Sequence, residues 1–305
     1  MSDFQFPLRV QKLRERLVQD NLDAIFISNA ENRRYISGFE SSAGYLILTR
    51  NDAVLCTDFR YTEQASQQAP GWRVDRIGGK PDWLADLVNE LKIKVLGFEA
   101  DDMTVDTLDR FRKSLKNNNA NPTLRPTSSI CLELRSYKDD VELALLQHAI
   151  DIGDQAFEET AAQLRVGMSE KEAAWIFEQA VRERGAESIS FPTIVAVGPN
   201  AARPHHSTGD TKIVEGQTII FDCGAKYKGY CSDLTRTVVL GKASDKIKRI
   251  YDIVLTAQLA AIEMVKSGMT GEECDAIARK IIAEAGYEEH FGHSLGHGLG
   301  LDVHE

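Results

Sequence analysis

Two stretches of the chain, VGMSEKEAAWIFEQAVRERGA (166–186) and SGMTGEECDAIARKIIAEAGY (267–287), repeat one another at an offset of 101 residues. The offset aligns Gly167 with Gly268, Met168 with Met269, Ser169 with Thr270, Glu172 with Glu273, Ile176 with Ile277 and Gly185 with Gly286. Each copy opens on a capping box, Ser169-x-x-Glu172 or Thr270-x-x-Glu273. In such a box a hydroxyl caps the first helical turn and a glutamate answers it three residues on. Each copy closes on a glycine suited to the left-handed position after a helix. A longer helical pattern precedes each copy, over 139–164 and 245–266. Duplication of a unit of helix, helix and strands is the economical account, so the C-terminal half is expected to be pseudo-two-fold. Along the first long helix Leu143, Leu146, Ile150, Gly153, Phe157, Ala161 and Leu164 step by three or four, which predicts the buried face.

The N-terminal half has a different texture. AIFIS (24–28), YLILT (45–49), AVLCT (53–57), WRVDRI (72–77) and KVLGFE (94–99) read as strands. Helical patterns over 8–22, 61–69, 82–91 and 104–116 alternate with them, which predicts an α/β layer domain. KNNNANPTLRPTSS (116–129) reads as the exit from it. With 305 residues the chain is long enough for two cores. The expected fold class is therefore α/β (α+β), with domains over 1–128 and 138–305. A net charge of −10 argues against nucleic acid as a partner, since phosphate binding needs a basic surface. No apolar run approaches the roughly 18 residues of a membrane span, and MSDFQFPLRV lacks the basic and apolar regions of a signal peptide. The five cysteines, Cys56, Cys131, Cys223, Cys231 and Cys274, form no CxxC pair. That pattern suits reduced thiols and a cytoplasmic location, with Cys223 and Cys231 as core thiols.

TIIFDCGA and CSDLTRTVV flank KYKGY, so a hairpin is expected there. A turn centred between Tyr227 and Lys228 sets Asp222 directly opposite Asp233. Opposed Cβ atoms lie roughly 5 Å apart, where two bare carboxylates repel. Arg236 or a lysine could compensate in an ion pair, or one or two divalent cations could bridge the two carboxylates. The histidines favour the cations. Six of the seven lie beyond residue 200: His205, His206, His290, His293, His297 and His304. Glycines crowd around His297, which favours close backbone approach. His205 and His304 stand 99 residues apart, within two of the repeat offset, and are expected at equivalent places in the two copies. Two carboxylates with imidazole suit a hydrolytic manganese, cobalt, iron or zinc better than calcium or magnesium.

FDCGAKYKGYCSDLTRT, PNAARPHH and GHSLGHGLGLDVHE resemble the corresponding segments of the pita-bread metallopeptidases. Within that family they are most similar to the Xaa-Pro peptidases, aminopeptidase P and Xaa-Pro dipeptidase (prolidase). NRRYISGFESSAGYLILT and TDFRYTEQA resemble the creatinase-type N-terminal domain of the same enzymes. The resemblance covers essentially the whole chain. It implies a centre of two divalent metal ions, usually manganese or cobalt, and a peptide substrate with proline in second position. Asp222 matches the aspartate that chelates one metal, Asp233 the one that bridges both, and His297 the imidazole ligand of the second. His205 matches the histidine that donates to substrate or the tetrahedral intermediate, His304 the other outer histidine, and His293 one that shapes the substrate pocket. The resemblance also implies a homodimer, in which ENRRYISGF (31–39) is the segment to watch beside an ordinary strand-and-turn role. Arg203 stands where relatives often carry an apolar residue, as a pocket-lip residue or simply an exposed charge.

The family pattern needs two further glutamate ligands from a hairpin after the last histidine. Asp222 and Asp233 follow His205 by 17 and 28 residues, and the same distances from His304 reach positions 321 and 332. Glu305 is too early to be either ligand. The expectation is a domain lacking its last hairpin, either as a fragment of a longer chain or as a truncated, inactive protein. The alternatives to the peptidase are a creatinase-like hydrolase, which would not need the metal ligands, and a non-catalytic binding module. Methionine aminopeptidases share the metal core but normally lack the N-terminal domain.

Overall fold

The computed structural model describes residues 4–305, which fall into two compact units, one ending at Val141 and the other starting at Glu142. The first unit runs α1 (Phe6–Gln19), β1 (Ala24–Ile27), α2 (Ala30–Ser37), β2 (Tyr45–Thr49), β3 (Ala53–Thr57), α3 (Thr62–Gln68), β4 (Arg73–Arg76), α4 (Asp82–Glu90), β5 (Val95–Glu99), α5 (Val105–Asn117), β6 (Thr123–Thr127) and α6 (Ile130–Arg135). Its six strands form one mixed sheet in the order β4-β3-β2-β1-β5-β6. The apolar strands β1, β2 and β3 occupy the middle, where Phe26, Ile47, Val54 and Cys56 are buried against Leu84 and Leu87 of α4 and Phe111 and Leu115 of α5. Both faces of these strands are covered, which is why they read as continuous apolar runs rather than alternating ones.

Two sequence expectations change here. The stretch taken as an exit contains β6, paired in parallel with β5 from Val95↔Thr123 to Glu99↔Thr127. It is an edge strand, and an edge tolerates Pro126, which cannot donate to a neighbour. The segment 31–39, expected in a strand-and-turn role, lies largely in helix α2. Asn29 caps it by accepting from the Asn32 amide at 2.9 Å. The buried Glu99 carboxylate accepts from the Ser28 and Asn29 amides at 2.7 and 2.8 Å just ahead of the helix. Arg33, Tyr35, Ile36 and Phe39 are buried in their own unit.

The second unit contains α7 (Asp140–Gln163), which begins two residues ahead of it, α8 (Glu170–Glu183), β7 (Ser188–Ile189), β8 (Ile194–Val197), β9 (Thr218–Cys223), β10 (Ala225–Tyr227), β11 (Tyr230–Cys231), β12 (Leu234–Val239), α9 (Asp245–Met264) and α10 (Gly271–Glu284). The duplicated pattern appears as two helix pairs, α7–α8 and α9–α10. Both second helices carry a complete capping box, at Ser169/Glu172 and at Thr270/Glu273. Gly185 and Gly286 follow them with φ of 91° and 83°. The strands form two three-stranded sheets, β12-β9-β8 and β11-β10-β7. Phe177 and Val181 of α8 bury against Val195, Ile219 and Phe221 of the first sheet.

The buried face of α7 keeps part of the predicted stripe, with Gly153 buried and Phe157 and Leu164 packed against the core, and is rotated from the rest of it. Ala149, Ile152, Gly153, Ala156 and Thr160 face inward, whereas Leu143 is 53% exposed and Ile150 36%. At Gly153 this face meets the hairpin closely, since a Cβ there would lie 3.1 Å from the Ser232 side-chain Oγ.

Candidate metal centre

The two aspartates sit where one long hairpin passes from one sheet to the other. Its turn is Lys228-Gly229, with φ of 44° and 84°, closed by the pair Tyr227↔Tyr230. Two consecutive left-handed residues make the tight turn whose twist matches that of paired strands. The turn centre is thus one residue later than the sequence reading placed it, and the register shifts by two. Asp222 opposes Thr235, not Asp233. The aspartates remain diagonal neighbours on one face, a spacing that longer or polar side chains still bridge.

Gly224 makes the crossing between sheets possible. Any Cβ there would overlap Ser232 O and Ser190 Oγ. With no side chain, Gly224 O accepts from the Ser190 amide at 3.0 Å, and Ser190 Oγ donates to Ser232 O at 2.7 Å. Asp222 is the next-to-last residue of β9 and Asp233 precedes β12, one on each side of this crossing.

The electrostatics of the pair call for a cation. Burial, then the charge of Asp233, pushes the Asp222 carboxyl above its usual range, and a hydrogen bond donated by Thr235 Oγ1 at 3.1 Å only partly offsets this. Burial and the two carboxylates push the Cys223 thiol up as well. Arg236 does not neutralise the pair. Its guanidinium donates to Thr235 O at 2.9 Å and lies 3.8 Å from Asp154. Among the described residues the imidazole that meets the pair is His297, whose Nε2 lies 3.4 Å from Asp233 Oδ2.

His297 is oriented as metal-bound histidines are. Its Nδ1 donates to Gly298 O at 3.1 Å, which leaves Nε2 as the ring nitrogen that faces the Asp233 carboxylate. A ring nitrogen and a carboxylate oxygen facing one another are both groups that a divalent cation takes as ligands. His304 packs beside His297, with ring centroids 4.1 Å apart. His205 lies 6.5 Å from His293 by the same measure, and it favours the ionised form of Asp222 electrostatically. The six residues singled out in the sequence therefore lie in one neighbourhood, with His205 and His304 in different pairs. Among the described residues no three His, Cys, Asp or Glu side chains close on one point as a finished metal cage; these donors meet in pairs. Arg203 is exposed.

Sequence reasoning missed the residues that hold the histidine loops. Arg279 of α10 donates to Phe291 O at 2.7 Å and His293 O at 3.0 Å. Asp275, in ion pair with Arg279 at 2.6 Å, accepts from the Leu295 amide at 2.8 Å. This clamp reaches from a helix to the loop carrying His293. On the first copy the corresponding task falls to Glu170 of α8, which contacts His206 and Asn200. The four-residue spacing of Asp275 and Arg279 marks an ordinary helical ion pair, and nothing in it points to the loop. The segment after Gly298 docks on β11, where the Cys231 amide donates to Gly300 O at 2.8 Å and Leu301 and Val303 are buried.

Comparison with known proteins gives the family and the fold. Residues 144–305 match metallopeptidase family M24, and residues 9–137 match the creatinase/prolidase N-terminal domain. The chain resembles the solved Xaa-Pro dipeptidase from Bacillus anthracis at 41% identity and a TM-score of 0.94, covering 99% of this chain and 84% of that one. It resembles the solved X-Pro aminopeptidase from Thermotoga maritima at 39% identity and a TM-score of 0.85, covering 96% and 83%. It is also 35% identical to the Xaa-Pro dipeptidase of Pyrococcus horikoshii over 97% of this chain and 82% of that protein. The chain belongs to metallopeptidase family M24, with a creatinase/prolidase N-terminal domain ahead of its pita-bread peptidase domain.

Proposed function

We propose that the protein is a metal-dependent exopeptidase that hydrolyses the bond between an N-terminal residue and a proline in second position. The observation that carries this reading is the approach of His297 Nε2 to Asp233 Oδ2 at 3.4 Å, with the Asp222 carboxyl pushed up beside them. The B. anthracis and P. horikoshii relatives named Xaa-Pro dipeptidase and the T. maritima X-Pro aminopeptidase supply the substrate class.

Asp222 would hold one of two divalent ions, manganese or cobalt, Asp233 would bridge both, and His297 would hold the second. Such ions supply Lewis acidity that lowers the pKa of bound water from 15.7 toward about 7. The remaining chemistry belongs to the chain. His205 and His304 donate to the carbonyl oxygen of the scissile bond as it gains charge, which is stabilisation concentrated on the transition state. His293, held by Arg279 through its backbone, shapes the pocket that receives the substrate. The imide nitrogen of proline carries no proton, so this bond offers the enzyme no N–H donor, and its carbonyl is the group that a positioned set of imidazoles can serve.

We place the enzyme in the cytoplasm as a homodimer. Five cysteines in no disulfide, four of them buried, suit a reducing compartment. Sedimentation velocity tests the dimer. The experiment for function is manganese and cobalt titration by calorimetry, followed by hydrolysis of Xaa-Pro dipeptides and Xaa-Pro-Xaa tripeptides. Metal-dependent release of the first residue supports the reading. Absence of both binding and hydrolysis would favour the non-catalytic module.

A further inference from the structure

We propose that Glu170, acting through His206, is a positioning residue that sets His205 in the site. Glu170 is the first residue of α8, directly after the capping Ser169, and its side chain is fully buried. A buried carboxylate is costly unless every lone pair is used. Here Oε1 accepts from the Val197 amide and from Asn200 Nδ2, both at 2.9 Å. Oε2 accepts from the Gly209 amide at 2.9 Å and meets His206 Nε2 at 2.9 Å. An ionised carboxylate only accepts, so His206 Nε2 is the donor. The positive end of α8 adds to the preference for an anion at this point.

The four donors come from the entry, middle and exit of a single loop, 197–209. One carboxylate thus gathers the loop that carries His205. Of the paired histidines, His206 turns inward and its side chain is only 9% exposed, while His205 is exposed toward His293 and Asp222. The backbone between them is further fixed where the His206 amide donates to Arg203 O at 3.2 Å. Turning His206 out of its contact would rotate the adjoining residue as well. Glu170 itself touches neither His205 nor the aspartates, so its action on them is by position.

The proposal rests on the reading of His205 as a site residue, and its test is chosen to be independent of turnover. The imidazole resonances of the folded protein are recorded by long-range ¹H–¹⁵N NMR, with His205 and His297 assigned by substitution. Hydrogen exchange of the loop 197–209 and of α9–α10 is followed in parallel. Glu170→Gln puts an amide donor against donors, and His206→Ala leaves the carboxylate its three other donors, so the second is the milder variant should the first fail to fold. His206→Gln restores a donating N–H. We expect Glu170→Gln and His206→Ala to shift or broaden the His205 signal while His297 keeps its own. Loop exchange should rise about tenfold, equivalent to about 1.4 kcal/mol, with α9–α10 unchanged and His206→Gln near wild type. An unmoved His205 signal in both variants overturns the proposal, as does a uniform rise in exchange across the unit. In an active preparation the kinetic cycle is a second arm: Glu170→Gln should lower kcat/KM in the native background and add nothing in a His205→Ala background. Independent, multiplying effects would overturn it. Lack of Xaa-Pro hydrolysis by the wild-type chain bears on the peptidase reading and leaves the NMR answer standing.

Discussion

Replacing Gly224 with alanine tests whether the crossing between the two small sheets sets the aspartate pair. The new methyl would overlap Ser232 O and Ser190 Oγ, and both atoms are held: the hydroxyl by its bond to that carbonyl, and the Ser232 backbone by its amide bond to Ala225 O at 2.9 Å. The Ala225 amide also donates to Ser232 Oγ at 3.0 Å. Neither neighbour is the free end of a flexible chain, so the strands must part. Overpacking of this kind costs typically about 1–3 kcal/mol, and roughly two hydrogen bonds lost at about 1 kcal/mol each bring the total to about 3–5 kcal/mol. For a unit of this size one kcal/mol moves the melting temperature by about 2–4 °C, so the second unit should melt about 6–20 °C earlier. Differential scanning calorimetry of Gly224→Ala reads that shift. Gly271→Ala is the control, because a Cβ there meets nothing within 4 Å and the substitution should stabilise slightly. Manganese affinity of the folded variant should fall by about tenfold or more, as it does when groups supporting a metal site are disturbed. A shift in Gly224→Ala no larger than in the control, with metal affinity retained, would refute the claim that the aspartate geometry depends on this glycine.

Three further outcomes follow from the same geometry. Backbone and hydroxyl donors on Ser169 hold the Glu172 carboxyl down to about 2 from 4.5; a depressed carboxyl contributes stability above its unfolded value that is lost as pH falls, so Glu172→Gln should flatten the acid limb of the melting curve between pH 4.5 and 2. Asp222→Asn removes a buried charge that Asp233 opposes, so the metal-free variant should melt at or above the wild-type temperature at pH 7 while the manganese-induced rise in melting temperature disappears. Arg279→Met frees the carbonyls of Phe291 and His293, and kcat/KM for an Xaa-Pro dipeptide should fall about tenfold, in the range usual for groups that orient a site, with α10 still helical by circular dichroism.

What the sequence made legible was whatever depends on neighbours in the chain. The capping boxes at Ser169 and Thr270 need only four residues each, and both form. YLILT and AVLCT became strands with the expected bounds, because apolar β-branched runs of that length have few other uses. The elements that failed were decided by partners far away. Pro126 and its asparagine-rich approach read as linker until β5 offered them a sheet edge. On α7 Leu143 and Ile150 are exposed while Ala149, Ile152 and Ala156 are buried, and Gly153 meets a hairpin some 80 residues distant.

The aspartate pair lies between these cases. Its existence was legible because the observed register differs from the expected one by two residues, an even slip that keeps both carboxylates on one face. Its register was not, because Lys228 gives no sign that it adopts a positive φ beside Gly229. Glutamate at the start of a helix reads as a solvated charge favouring the helix dipole. Only the fold reveals that Glu170 is fully buried and that its four donors arrive from 27 to 39 residues away. Ligand types are constrained by chemistry and so leave a mark in composition and spacing. The groups that aim them are constrained by tertiary geometry alone, and any residue with the right reach can serve. The two copies bear this out: a lone buried glutamate holds the histidine loop in the first and an Asp275–Arg279 ion pair holds it in the second. Duplication preserved the helices and their caps while the aiming groups diverged, so a search by repeat alignment finds the scaffold of this site and misses what orients it.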